Sequence, residues 1–527
     1  MARMEKEPAQ HPAANAQIAR AAGTVMAAFI FSNLVGLLAK TLTARVFGTG
    51  IESNAFFAAN RFSEILFNLV AGGALGSAFI PVFTGLLANE QREKAWKLAS
   101  GIANLVSLAL VVLSVLTIIF ARQVVRYVLA PGFEDEVELL TAQLLRVQVL
   151  SSFVFGLSGL LMGVLNSHQR FLLPALAPAM YQIGWIIGIL LLSPTLGVFG
   201  LAWGVVIGSV LHLMVQLPWM LRLPGRAYWP SLGLKMPEVR EVGRLMAPRL
   251  LGVAVVQLNF LINTLLASYQ TAGSITAISL AFPLMIMPEA AIAQSIAIAA
   301  LPTFAAQVAR NQMGEMRASL SAALRVTLLL ALPAMIGLII LREPIVALLY
   351  QGNEFSAEST RMVSWALLWY AAGLAGHGLV EVTSRSFYAL HDTRTPVVVG
   401  VGAMTLNLIF SFVFTALFTR LGWMPHGGLA LANSAATLLE SVLLMALLRR
   451  RLNGLEERRI MIALAKSLAA GAVMGALVLL LGSALGGQSL LTRTGLLVLA
   501  GILSYALMLV LLRTDELARI KSMIARK

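Results

Sequence analysis

Long apolar stretches, separated by short polar or Gly/Pro-containing breaks, run through almost the whole chain. A helix needs about 20 consecutive apolar residues to cross the hydrocarbon of a bilayer, and runs of that length recur from Val25 to Leu512. They fall approximately at 22–46, 54–88, 97–121, 138–166, 172–193, 197–221, 240–269, 273–305, 317–341, 360–389, 396–419, 427–449, 460–482 and 491–512. The pattern predicts an all-α, polytopic membrane protein of about 14 transmembrane helices. An even count puts both termini on one side of the membrane.

Lys and Arg placement says which side. The N-terminal segment carries Arg3, Lys6 and Arg20, and alternate connections then carry Arg92, Lys94 and Lys97; Arg170; and Arg222, Arg226, Lys235 and Arg240. Farther on, the same side has Arg310 and Arg317, Arg394, Arg449 to Arg451 with Arg458 and Arg459, and a basic C-terminal tail. The opposite connections hold only Arg122 and Arg126, Arg342, Arg420 and Arg493. By the positive-inside rule, both termini are cytoplasmic.

Composition narrows the function classes. Of 527 residues, 58% are hydrophobic and 12% charged, against roughly 45–50% and about 25% in soluble globular domains, so a large soluble domain has no room. Cysteine is absent and the six histidines show no H-x-x-x-H or H-E-x-x-H spacing, which leaves neither a metal centre nor a cofactor to expect. The net charge of +15 is spread by membrane side, which points to anionic lipid and not nucleic acid as the partner. Residues 1–21 are polar and mixed in charge and read as a cytoplasmic tail, not a signal peptide.

The chain also repeats itself. Gly76-Ser-Ala-Phe-Ile-Pro81 answers Ala297-Ile-Ala-Ala-Leu-Pro302, and Pro131-Gly132-Phe133 answers Asn353-Glu354-Phe355. The segment from Val164 to Pro174, with His168, answers Phe387 to Pro396, with His391, and Gly200-Leu-Ala answers Gly428-Leu-Ala. The first three matches lie 221 or 222 residues apart and the last 228. A repeat of six spans keeps its orientation, so the expected arrangement is two parallel six-helix lobes with a cavity between them and a C-terminal helix pair outside the repeat. The implied organisation is a tail at 1–21, an N-terminal lobe at 22–222, a cytoplasmic linker at 223–239, a C-terminal lobe at 240–451, and the helix pair with its tail at 452–527.

Several motifs resemble one family. Phe47-Gly48-Thr49-Gly50, Asn54-Ala-Phe-Phe57 and Gly72-Gly73-Ala74-Leu75-Gly76-Ser77-Ala78-Phe79-Ile80-Pro81-Val82 are similar to the opening of the MurJ/MviN family, lipid II flippases of the MOP exporter superfamily. Leu129-Ala-Pro-Gly-Phe133, Gly163-Val-Leu-Asn-Ser-His168 and Ser386-Phe387-Tyr388-Ala389-Leu390, with Thr395-Pro396, continue the resemblance in order over residues from about 30 to 450. It implies fourteen helices in two lobes around a central cavity, and transport of a lipid-linked peptidoglycan precursor. The chain departs from the family pattern where Ala39-Lys40 replaces Arg-Asp, Phe67-Asn68 an Arg pair, Gly72 a Glu and Phe282-Pro283 an Asp-Arg, and where Asn54 replaces an acidic residue.

Charges that persist at membrane depth usually face a cavity or pair with each other, since each costs at least about 2.5–3.5 kcal/mol there. Arg61 and Glu64 share a helix face; under the resemblance Arg61 contacts phosphate and Glu64 tunes it, while the alternative is a self-neutralising pair. Lys40 supplies charge without the bidentate fork of arginine, Asn33 and Asn54 add polar groups nearby, and Arg45 is expected to snorkel from its helix end. Arg249, Asn259, Asn263 and Glu289 are the corresponding substrate-binding candidates in the seventh and eighth helices, with interhelical hydrogen bonding the alternative for the two asparagines. Glu381 and Arg385 read as a structural pair, and Glu440 as a candidate for proton or cation coupling.

The leading expectation is thus a monomeric flippase that takes the headgroup of a polyprenyl-diphosphate-linked glycan lipid, lipid II, from the cytoplasmic to the outer leaflet of a bacterial plasma membrane by alternating access. Export of another such oligosaccharide or of a small amphiphile stays open, as does a transport-inactive scaffold. An enzyme is not expected, because the non-cytoplasmic loops are too short to hold a convergent acidic site.

Overall fold

The computed structural model describes residues 12–70 and 74–514. The glycine pair Gly72-Gly73, most of the expected N-terminal tail and the last thirteen residues, 515–527, lie outside the described residues. The described chain is helical: α1 Pro12–Phe47, α2 Ile51–Val70, α3 Ala74–Ala88, α4 Arg92–Ile119, α5 Asp135–Ser167, α6 Leu172–Leu196, α7 Val198–Met220 and α8 Pro237–Ser268. Then follow α9 Ser274–Ala309, α10 Met313–Tyr350, α11 Ala357–Ala371, α12 Leu374–Ala389, α13 Arg394–Arg420, α14 His426–Leu452, α15 Glu457–Ala484 and α16 Leu490–Leu511.

Twelve of these helices hold a segment long and apolar enough to cross a membrane, and the pair α11 and α12, bent by 43°, meets the same test when taken together, as a broken span or a re-entrant loop. The remaining expected segment, 54–88, comprises α2 and α3. Asn54, Asn60, Arg61, Glu64 and Asn68 make α2 too polar to qualify by hydropathy. Helix α1 begins at Pro12, ahead of the expected start at 22.

The chain divides into two compact units, the first made of Met1–Thr43, Ala59–Val124 and Leu139–Ala254 and the second of Ala44–Ala58, Val125–Glu138 and Val255–Lys527. In the first unit, α6 and α7 lie almost backbone to backbone. A Cβ on Gly184 would stand 2.1 Å from the Cα of Gly208, one on Gly188 2.4 Å from the Cα of Gly204, and one on Gly208 2.3 Å from the carbonyl of Tyr181. Lipid tails are as apolar as leucine, so helices gain little from hydrophobicity when they pair in a bilayer; close van der Waals contact between small residues takes its place. A second packing centre joins α3, α4 and the end of α5 through Phe79, Phe83, Trp96, Leu98 and Leu165. The connection after α7 lies on α4: Asn104 Nδ2 donates to the carbonyls of Trp229 and Ser231 at 2.9 and 2.8 Å.

In the second unit, the C-terminal helices α15 and α16 pack on α10 through Leu329, Leu341, Met474, Val478, Leu497 and Tyr505. The Tyr505 hydroxyl donates to the carbonyl of Leu329 at 2.8 Å, and Gly471 and Gly475 make room for Ile336 and Ile340. Trp365, Trp369, Phe418 and Trp423 form an aromatic group between α11 and the end of α13.

The internal repeat is visible in this unit's contacts. Asn54 Oδ1 accepts from both the backbone N–H and the hydroxyl of Thr276, each at 3.1 Å, and the two residues stand 222 positions apart, the spacing of the repeat. The Glu354 N–H donates to the Arg45 carbonyl at 3.0 Å beside Gly48, where a Cβ would meet the Glu354 carbonyl at 2.4 Å. With the copies exchanged, Gly132 donates to Ser268 Oγ at 3.0 Å and has room for no Cβ against Ser268 and Tyr269. Within the second unit, corresponding positions of the repeat thus meet each other, flanked by reciprocal contacts.

The glycine contact between α6 and α7 predicts a specific instability. Gly208→Ala should force the two helices apart and cost about 1–3 kcal/mol, read as a lower thermal midpoint of the detergent-solubilised protein. Gly85→Ala, where nothing lies within 4 Å of the new methyl, should leave the midpoint unchanged or raise it, because alanine is the better helix former. Equal midpoints for the two variants would remove the packing argument.

Candidate functional site

In the first unit, the polar group of α2 is held together by hydrogen bonds one turn apart. Arg61 Nη1 donates to Glu64 Oε2 at 2.7 Å and Asn60 Nδ2 to Glu64 Oε1 at 2.9 Å. The Arg61 side chain stays 20% exposed and that of Glu64 41%, so the pair keeps a face open to a ligand. Lys40 on α1 is half-buried and lies within electrostatic reach of both Glu64 and Arg61. Three of the expected residues thus come together: Lys40, Arg61 and Glu64. Asn33 and Arg249 are exposed on α1 and α8, and no hydrogen bond described for this unit joins either of them to that group.

Aromatic packing fills one of the places where the family pattern has charge. Phe67 lies 4.6 Å, centroid to centroid, from Phe155, which in turn packs on Tyr181 and His212. His212 Nδ1 is bonded to Ser158 Oγ at 2.6 Å, and Gln216 donates to the same hydroxyl at 2.8 Å. A cationic side chain at 67 would have to displace this apolar contact.

In the second unit, Asn259 and Asn263 belong to a buried network joining α8 to α13. Asn259 Oδ1 accepts from Asn407 Nδ2 at 3.1 Å and from Asn263 Nδ2 at 3.4 Å, and Ser411 Oγ donates to Asn263 Oδ1 at 3.2 Å. Asn259 Nδ2 also reaches the Met404 carbonyl at 3.3 Å. This is the interhelical hydrogen bonding that polar groups seek within a bilayer. Asn407 and Ser411, absent from the expected set, are polar residues at i and i+4 in an otherwise apolar stretch, a signal the sequence did carry. Asn54 is buried against Thr276, its counterpart in the repeat.

Glu289, buried in α9, accepts from Gln294 Nε2 at 3.3 Å across the π-helical turn Ala290–Gln294. Glu381 and Arg385 of α12 form the expected i,i+4 ion pair. Glu440 is half-buried on α14 with Oε1 near Gly400 of α13. Arg45, expected to snorkel from its helix end, donates through Nη2 to the Leu348 carbonyl at 3.3 Å, one of the carbonyls left without an intrahelical partner at the end of α10. Phe282 packs edge-on against Phe260 and Tyr370, again where the family pattern has charge.

Outside the membrane-spanning helices, Asp392 receives hydrogen bonds from the backbone N–H and hydroxyl of Thr395 and an ion pair from Arg451. The Thr395 donors, assisted by Arg451, hold its carboxyl below the usual carboxylate range. This part of the Asp392–Pro396 motif therefore ties the start of α13 to the end of α14.

The profile of the family described as "Lipid II flippase MurJ" matches residues 43–506. The chain belongs to the MurJ family. It is 32% identical over 439 residues, 82% of this chain and 84% of the other, to the lipid II flippase MurJ of Burkholderia cenocepacia. It is 29% identical over 509 residues, 93% of this chain and 95% of the other, to the probable lipid II flippase MurJ of Vibrio cholerae. A solved lipid II flippase MurJ in an inward closed conformation superimposes with a TM-score of 0.80 at 25% identity, covering 93% of this chain and 98% of its own. An inward-facing MATE-family multidrug resistance transporter of the MOP superfamily shares the fold, with a TM-score of 0.67 at 15% identity, covering 82% of this chain and 95% of its own.

Within this MurJ-family fold, the Asn54 contact predicts a structural effect. Asn54→Ala would leave the buried Thr276 N–H without its acceptor, at a cost of about 1–3 kcal/mol. Asn54→Asp, which keeps the accepting oxygen, should lose less. Thermal midpoints of the two variants check this, and an alanine variant as stable as the parent would remove the contact's structural role.

Proposed function

We propose that the chain is a lipid II flippase of the bacterial inner membrane, a transporter and not an enzyme. The observation that carries this reading is the match to the MurJ family over residues 43–506, supported by relatives named lipid II flippase MurJ and by at least twelve helices able to span a membrane. The physical task fits a polytopic helical protein: the diphosphate-sugar head of a polyprenyl-linked glycan cannot cross hydrocarbon unaided, while its tail can remain in lipid. Residues 22–222 and 240–451 would act as two parallel lobes that open alternately to each side and pass the head from the cytoplasmic to the outer leaflet. The linker at 223–239 and the pair at 452–527 would complete the organisation, in a protein that works as a monomer among anionic lipids.

Arg61 is the proposed phosphate contact. It retains an exposed face beside Glu64, whereas Ala39, Phe67 and Pro283 stand where the family pattern has cations, so Arg61 and Lys40 would supply most of the positive field in their unit. Glu64, Asn33 and Arg249 would line the path of the head. Asn54, Asn259, Asn263 and Glu289 are proposed on the other unit, with Glu440 the proposed coupling residue.

The reading predicts rescue of growth in cells depleted of their own lipid II flippase; failure despite verified membrane insertion would shift the cargo to another lipid-linked oligosaccharide or an amphiphile. A charge-assisted contact is worth about 1.5–3 kcal/mol, so Arg61→Gln should weaken binding of a polyprenyl-diphosphate lipid about ten-fold or more, and Arg61→Lys should lose less. Unchanged binding in a well-expressed Arg61→Gln variant would leave Arg61 a structural partner of Glu64 only.

Both termini are proposed to face the cytoplasm, by the Lys/Arg alternation. With no native cysteine to interfere, Thr195→Cys and Tyr269→Cys, at exposed positions, should react with an impermeant thiol reagent in intact cells. Arg458→Cys should react only after permeabilisation, and the reverse pattern would invert the topology.

A further inference from the structure

Glu289 occupies an unusual electrostatic position. Its side chain is 3% exposed. Oε2 accepts from Gln294, while Oε1 is buried with no hydrogen-bond partner. The helix α12, which packs against this part of α9, carries the charges of Glu381 and Arg385. Arg385 is already engaged, since its Nη1 donates to both the carboxylate and the backbone carbonyl of Glu381. Other titratable groups of the helices packed against α9 include Arg325 and Tyr350 on α10, Glu358, Arg361 and Tyr370 on α11, His377 and Tyr388 on α12, and Glu440 and His426 on α14.

Two carboxylates and one guanidinium, all ionised, would leave one uncompensated negative charge in a low-dielectric interior. A buried carboxyl without a partner for its charge holds a proton in preference to that state. A metal ion is the poorer occupant, because hard cations collect six or more oxygen ligands and, among the described residues, no three metal-ligating side chains converge.

We propose that the Glu289, Glu381 and Arg385 cluster is a proton-binding site, with Glu289 carrying the proton. The site is separate from Glu440, and its place in α9 gives it a way to exchange. Glu289 follows Pro288 and opens the π-helical turn Ala290–Gln294, so a change in the bend of the helix changes the access of the carboxyl to water. The proposal is independent of which lipid is carried.

Infrared difference spectra of the purified full-length protein in nanodiscs, recorded between acid and alkaline pH without any lipid substrate, test it directly. A carbonyl stretch of a buried carboxylic acid is expected, lost in Glu289→Gln and retained in Glu440→Gln. Glu381→Gln should also reduce the band, because it frees Arg385 to pair with an ionised Glu289; this variant leaves Glu289 itself intact. A band that survives in Glu289→Gln, or that is absent from the parent protein, overturns the proposal. A band lost on adding sodium at constant pH would hand the site to a metal cation and overturn it equally. Since the readout contains neither lipid II nor transport, failure here and failure of the flippase assignment are separate results.

Discussion

Hydrocarbon offers no hydrogen-bond partner, so a polar atom carried to membrane depth must find one within the protein or a cavity. Much of the polar chemistry of this chain follows from that constraint. Serines and threonines return their hydroxyls to a carbonyl one turn back, as Ser32 does to Ala28, Thr43 to Ala39 and Thr264 to Phe260. Asparagines share amides across α8 and α13. Charged side chains arrive with an opposite charge one turn away, Arg61 with Glu64 and Arg385 with Glu381. Among the buried polar atoms left without such a partner, Glu289 Oε1 belongs to a carboxyl within a membrane-spanning helix, which is why it points to a proton.

The same solvent removes the usual reason for helices to associate. Where α6 meets α7, glycine rows replace hydrophobic burial with backbone proximity, and α15 uses Gly471 and Gly475 to seat isoleucines of α10. Polar contacts then fix the register of faces that would otherwise slide. The Tyr505 hydroxyl bonded to a mid-helix carbonyl of α10 ties the C-terminal pair to one height on its neighbour.

Length and apolarity were enough to foresee most of the helices, because a membrane imposes the same minimum on each. The second segment escaped that logic: the polar residues of α2, among them the proposed Arg61 and Glu64, lower the helix below the hydropathy of a span. Among the candidate residues, Lys40, Arg61 and Glu64 were legible because they lie on adjacent turns or neighbouring helices. The bond of Arg45 to a carbonyl 303 residues away could not be read from local spacing, since its partner exists only after α10 has ended nearby. Asn407 and Ser411 were visible as polar residues in an apolar run, but not their attachment to Asn259 and Asn263. The same holds for Phe67 and Phe282: their presence was plain, while the aromatic neighbours that make them at home come from distant helices.

The contact between Asn54 and Thr276 joins two positions that correspond in the internal repeat. When a gene duplicates and fuses, a position on the symmetry axis of the ancestral pair meets itself, and any change there must suit both partners at once. Fusion lifts that restriction. One copy could keep an amide that only accepts at this point while the other acquired a hydroxyl and a backbone N–H that donate, a division of labour closed to identical subunits. A contact between corresponding positions that runs one way, from donors on one copy to an acceptor on the other, lets each position change on its own terms.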